Sequence, residues 1–262
     1  MEYFIQYLLL GSFAGLVAGL LGVGGGLIIV PVLVWLFSQQ GINNEIIVHL
    51  AVGTSLSTII FTSISSVRAH HCHGAVQWPI FFSITPGIIA GALIGAWIAR
   101  YMPTKVLSGF FGIFEIIVAF QMGFAIKPHA ARSLPGRWLV TIAGTMIGCI
   151  SAIVGIGGGT MTVPYLVWCN VAMRQAVATS AAVGLPIAIA GTAGFVWTGW
   201  QQASMPEKSL GFIMPDAFIG IVLASVLFAP LGAKMAHQVP PILLKRIFSV
   251  FLLILGLRML FT

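Results

Sequence analysis

Two stretches of this chain are one segment written twice: GLVAGLLGVGGGLIIVPVLVW at 15–35 and GCISAIVGIGGGTMTVPYLVW at 148–168 agree at ten of twenty-one positions. Gly15, Gly22, Gly24, Gly25, Gly26, Val30, Pro31, Leu33, Val34 and Trp35 each meet their own kind 133 residues later. Two more matches follow in order, AVGTS at 51–55 with AVATS at 176–180 and LIGAWIARYMP at 93–103 with PLGAKMAHQVP at 230–240. Chance does not produce three ordered matches, so the chain is a duplication. The expected division is a first transmembrane repeat at 1–126, a polar inter-repeat linker at 127–137 and a second transmembrane repeat at 138–262.

Composition decides what the duplication is made of. With 59% hydrophobic and 6% charged residues the chain cannot cover a water-facing surface, so an all-α polytopic membrane protein is expected. Lipid is its surroundings, and the bacterial inner membrane its expected location. Apolar runs read at about 4–21, 27–37, 46–66, 80–100, 105–125, 138–154, 160–169, 175–198, 211–236 and 241–261. The 27–37 run makes only about 16 Å of helix against a hydrocarbon core of about 30 Å. The 160–169 run is equally short, and each follows an apolar run that ends in a glycine cluster.

Several classes are excluded or disfavoured. The twelve Lys and Arg are scattered singly and form no basic stripe, so the net charge of +7 marks membrane anchors and not nucleic-acid binding. Cys72, Cys149 and Cys169 have no C-x-x-C spacing and imply no disulfide framework. Glu2 and the absence of a basic n-region lead us to expect the first apolar run to stay in the mature protein. With no H-E-x-x-H or G-x-S-x-G, neither an enzyme nor a cofactor is expected. The packed spacing of Arg68, His70, His71, Cys72 and His73 fits no strong zinc pattern. A metal site is not expected there; an anion-attracting or gating loop and a plain anchor both stay open.

Charge also speaks to topology. If each glycine-broken segment crosses once, the repeats are parallel and Lys and Arg divide six against six. If the segments are re-entrant hairpins, each half has three further transmembrane helices and the repeats are inverted. Arg68, Lys127, Arg132, Arg137, Arg174, Lys234, Lys245 and Arg246 then share one side, with Arg100, Lys105, Lys208 and Arg258 on the other. Eight against four favours inversion, with both termini outside the cytoplasm.

A duplicated membrane protein interrupted by glycine at corresponding places has the pattern of a secondary transporter. Glycine permits positive φ and lets a ligand approach the backbone, and the short helix that follows points free N–H groups and its positive dipole end into the membrane. The expected substrate-binding residues are therefore Gly24, Gly25, Gly26, Gly157, Gly158, Gly159 and Thr160, with the repeated hydroxyls Thr54, Ser55, Thr179 and Ser180. Close helix packing by the glycines and interhelical bonding by the hydroxyls are the competing readings. Glu115, inside an apolar run, is either a proton-coupling carboxyl or paired in the bundle; its counterpart is Leu252.

The segments GLLGVGGGLIIVP and SAIVGIGGGTMTVP, with RAHHCHGAVQW at 68–78 and SLGFIMPDAFIG at 209–220, resemble the TauE/SafE family of bacterial membrane transporters over essentially the whole chain. Cys72 departs from the family pattern, where a basic residue is more usual. The resemblance implies export of sulfite or organosulfonates across the inner membrane by alternating access. A passive anion channel, an importer of small organic anions and, less favoured, an intramembrane metal-dependent enzyme are the rival readings. The expected partners are a small anionic substrate and lipid, with a homo-oligomer left open.

Overall fold

The computed structural model describes residues 2–21, 25–72, 74–124, 134–200, 202, 205–206, 208–235 and 241–261. Gly22, Gly24, His73 and most of the expected 127–137 linker lie outside the described residues. Among the described residues all regular structure is helical: α1 Glu2–Leu21, α2 Gly26–Gln39, α3 Ile47–Cys72, α4 Trp78–Tyr101, α5 Thr104–Gly123, α6 Arg137–Val154, α7 Gly159–Trp168, α8 Met173–Gly199, α9 Pro215–Met235 and α10 Pro241–Leu260. Seven of these, α1, α3, α4, α5, α6, α8 and α9, are long and apolar enough to cross a membrane. The protein is thus a multi-pass membrane protein.

At 14 and 10 residues, α2 and α7 are too short to cross. Both end in the same way. After α2 the Gly41 N–H donates to the Ser38 carbonyl and the Ile42 N–H to Phe37, with Gly41 at φ 72°. After α7 the Asn170 N–H donates to Val167 and the Val171 N–H to Leu166, with Asn170 at φ 62°. These are Schellman endings, with glycine or asparagine in the left-handed position.

Small residues set the packing, as expected where lipid supplies no hydrophobic drive between helices. Along α1 and α9, Gly220 lies against Tyr7, Gly11 against Ile221 and Gly15 against Ser225, so the two helices run parallel. Along α4 and α6, Gly87 meets Thr141, Gly91 meets Thr145 and Gly95 meets Cys149, again parallel. In contrast α3 and α8 run antiparallel, with Gly53 near Phe195, Leu56 near Gly191 and Ser63 near Gly184. So do α5 and α10: the Ser108 hydroxyl donates to the Met259 carbonyl, Gly112 packs on Gly256 and Gly123 on Ser249. Exchanging α1–α5 with α6–α10 maps each of these pairings onto another or onto itself. The centre is α3 and α8, whose apolar windows are 78% and 67% buried against 33–44% for the other candidate spans.

Three details differ from the sequence expectation. Arg68, Ala69, His70, His71 and Cys72 form the last turns of α3 and not a loop, with His71 edge-on to Trp78 at 5.5 Å between ring centroids. Helix α9 starts at Pro215, because 211–214 is buried but bent around Gly211 at φ 53°. Helix α2 extends two residues past the apolar run, through Ser38 and Gln39, until Gly41 stops it.

Candidate functional site

The second glycine break is built by two left-handed glycines. Gly155, at φ 76°, closes α6 with its own N–H on the Ala152 carbonyl and the Ile156 N–H on Ser151. Gly158, at φ 75°, opens α7, and its carbonyl accepts from the N–H groups of Met161 and Thr162. Positive φ costs an ordinary L-residue about 1–2 kcal/mol, which is why glycine occupies both corners. At the first break Gly25 is the N-cap of α2 with φ −76°, a helical value, and its carbonyl accepts from Ile28 and Ile29.

The two breaks meet. A methyl placed on Gly26 would sit 2.5 Å from the Gly155 carbonyl oxygen and 3.0 Å from the Ile156 Cα. One placed on Gly155 would sit 3.0 Å from Val30 Cγ2 and 3.2 Å from the Val52 Cα. On the far side, Gly184 of α8 lies against the Gly157 carbonyl and the Ser63 hydroxyl. Of the expected site glycines, Gly25, Gly26, Gly157, Gly158 and Gly159 thus lie at the two breaks, with Gly26 in direct contact with the second. The first arm of the hairpin returns beside its own start: the Gln40 side chain donates to the Tyr7 hydroxyl at 2.6 Å, and Gly25 packs on Ala14.

The repeated Thr–Ser pairs divide into bonded and unbonded hydroxyls. The Met214 N–H, at the start of α9, donates to Thr54 Oγ1 at 3.0 Å, and the Gln77 N–H, at the start of α4, donates to Thr179 Oγ1 at 3.0 Å. Each threonine satisfies a helix-start N–H contributed by the other half of the sequence. Ser55 Oγ donates to the Gly155 carbonyl at 2.9 Å, tying α3 to the second break. Its partner in the repeat, Ser180, is buried and has no hydrogen bond.

Five other hydroxyls among the described residues share that condition: Ser151 on α6, Thr160, Thr162 and Tyr165 on α7, and Thr192 on α8; the first three border the break. Ser151 and Thr162 lie outside the residues expected from the sequence, where Thr160 is the one unmatched hydroxyl included. The available signal was the mismatches: the positions equivalent to Ser151, Thr160 and Thr162 are Ala18, Leu27 and Ile29. Glu115 is fully buried in the α5–α10 interface beside Gly256, and neither carboxyl oxygen has a hydrogen-bond partner among the described residues. Arg258 stands over the Trp35 ring at 5.6 Å, at the opposite end of α2 from Gly26. Cys72 is exposed, and among the described residues no three His, Cys, Asp or Glu side chains gather as a metal site.

The chain matches the family model described as "Sulfite exporter TauE/SafE" over residues 7–259. It is 35% identical over 260 residues to a probable membrane transporter protein of Haemophilus influenzae, covering 98% of both chains. A probable membrane transporter protein of Methanocaldococcus jannaschii is 28% identical, covering 97% of this chain and 94% of the other. The probable inner membrane transporter protein TsaS of Comamonas testosteroni is 25% identical, covering 74% and 78%. No solved structure matches the chain.

Proposed function

The chain belongs to the TauE/SafE family and is a membrane transporter, and from that premise we propose that it exports small sulfur-containing anions, sulfite or organosulfonates, by alternating access around the meeting point of the two glycine breaks. The observation that carries this reading is the contact of Gly26 with Gly155 and Ile156, which brings the start of α2 against the break that precedes α7. Helix N-termini favour anions through their unsatisfied N–H groups and dipoles, and the effect strengthens where water is excluded. Irregular backbone inside a bilayer is tolerated where protein covers it or where it lines a cavity. The sulfur chemistry of the substrate rests on the description of the matching family model.

Alternating access asks for two halves related by inversion, and the antiparallel pairs α3–α8 and α5–α10 support that relation. In this arrangement the α2–α3 connection and the C-terminal end of α10 face outside, and the α5–α6 connection faces the cytoplasm, with eight of twelve Lys and Arg on the cytoplasmic side.

Flux into liposomes tests the function. Saturable uptake of sulfite or a sulfonate, coupled to an ion gradient or to counter-flow, is the expected result. Flux proportional to concentration without saturation or counter-flow would identify a channel, and carboxylate uptake without sulfonate uptake would reassign the substrate. Accessibility labelling tests the topology: cysteines replacing Asn44 and Arg132 should label from opposite faces, and labelling from one face removes the inverted arrangement.

A further inference from the structure

The second break gathers hydroxyls that bond to nothing among the described residues. A methyl built on Gly158 would lie 3.5 Å from Thr162 Oγ1 and 3.7 Å from Ser151 Oγ, so both hydroxyls border the first turn of α7. Ser151 and Thr162 are completely buried, and neither has a hydrogen-bond partner among the described residues. Thr160 Oγ1, in the same first turn, is buried and unbonded as well. Ser180 lies on the face of α8 that also carries Gly184 and Ile187, which touch Gly157 and Gly158.

A buried hydroxyl without a partner is penalised by its lost hydration, and native proteins rarely collect several in one place unless something else satisfies them. At this place they sit beside the first N–H groups of α7, which have no acceptor within their own helix. The group is a set of donors waiting for an acceptor. Its counterparts at the first break, Ala18, Leu27 and Ile29, donate nothing, and the start of α2 is buried against apolar neighbours.

Building on the transporter reading, we propose that the second half alone holds the anion: Ser151, Thr160 and Thr162, with Ser180 behind them, donate to its oxygens at the start of α7, and α2 closes the site as an apolar wall. One anion binds per chain. Helix α7 carries no basic side chain, and its N-terminus supplies the fractional positive charge of a helix end, about half an elementary unit. A site of that kind balances a singly charged sulfonate far better than a doubly charged sulfate.

Isothermal titration of the purified full-length protein with methanesulfonate and with sulfate tests this. Expected are one site per chain, methanesulfonate preferred, and a roughly 10-fold to 100-fold loss of affinity in Ser151→Ala and in Thr162→Val. Melting temperature should hold or rise in both variants, because the hydroxyl removed bonds nothing in the free protein. Thr162→Ser should keep wild-type affinity. Two equal sites, preference for sulfate, or variants that bind as tightly as wild type would each overturn the proposal while leaving transport itself standing. A wild-type protein that binds no sulfonate, sulfite or carboxylate removes the transporter reading and this proposal with it.

Discussion

The two short helices descend from one sequence and have become different objects. Helix α2 is buried continuously from Gly26 to Pro31, offers only apolar side chains there, and begins at a glycine in ordinary helical conformation. Helix α7 is four residues shorter, begins at a left-handed glycine, and carries Thr160 and Thr162 where α2 has Leu27 and Ile29. One arm has become packing and the other has kept polar groups in a place where polar groups are expensive to bury. Matching glycines therefore do different jobs: Gly25 stays helical where its counterpart Gly158 turns the backbone, and Gly26 admits a close contact.

Substitutions can break or sharpen this contrast. The largest effect is expected from Gly26→Ala, since the new methyl would meet the Gly155 carbonyl and the Ile156 Cα, both backbone and unable to move aside. It should destabilise the protein by about 2–3 kcal/mol and abolish flux. Next comes Gly158→Ala, which combines positive φ with a collision against Ile187; about 2 kcal/mol of lost stability is expected, read by thermal unfolding in detergent. Thr54→Ala and Thr179→Ala should follow with about 1–2 kcal/mol each, the consequence of leaving the Met214 or Gln77 N–H unpaired. The two should be nearly equal in size and leave anion affinity unchanged; a selective affinity loss would move these hydroxyls into the binding site. Smallest is Gly25→Ala, where the methyl meets the flexible Ile29 Cδ1 at 3.0 Å and Ala14 Cβ at 3.3 Å in an already helical backbone. A change under about 0.5 kcal/mol is expected, and one as large as that of Gly158→Ala would erase the distinction between the breaks.

Much of the fold could be read from the chain because a bilayer admits few solutions: long apolar runs become helices, and glycine clusters interrupt them. The runs at 80–100 and 138–154 became α4 and α6 nearly residue for residue. What periodicity could not show was partnership. Gly87, Gly91 and Gly95 look like any glycines in an apolar run, and only the structure reveals that they receive the backbone of α6. Nor could hydropathy separate buried from helical at 211–214, since Phe212 and Met214 are apolar and buried but precede α9. At the glycine breaks, the repeat marked the two segments through its identities, and Thr54, Ser55 and Thr179 stood out for the same reason. Their bonds to backbone N–H and carbonyl groups depend on contacts across more than a hundred positions in two of the three cases, at separations of 160 and 102. No local pattern encodes such contacts.

The pairing of α1 with α9 has a consequence for how the protein is made. The ribosome delivers α1 well before α9, the helix that covers Gly11 and Gly15, so the glycine groove of α1 stays without its partner while α2 to α8 are made. The helix that covers α4 is also made by the later half, since α4 is matched by α6. The early half therefore cannot close upon itself, and insertion and assembly are separate events in time, with the final lock set by nearly the last helix synthesised. Two polypeptides cut between Gly123 and Arg137 and produced in the same cell would each present the surface that the other lacks, and would find one another as subunits do.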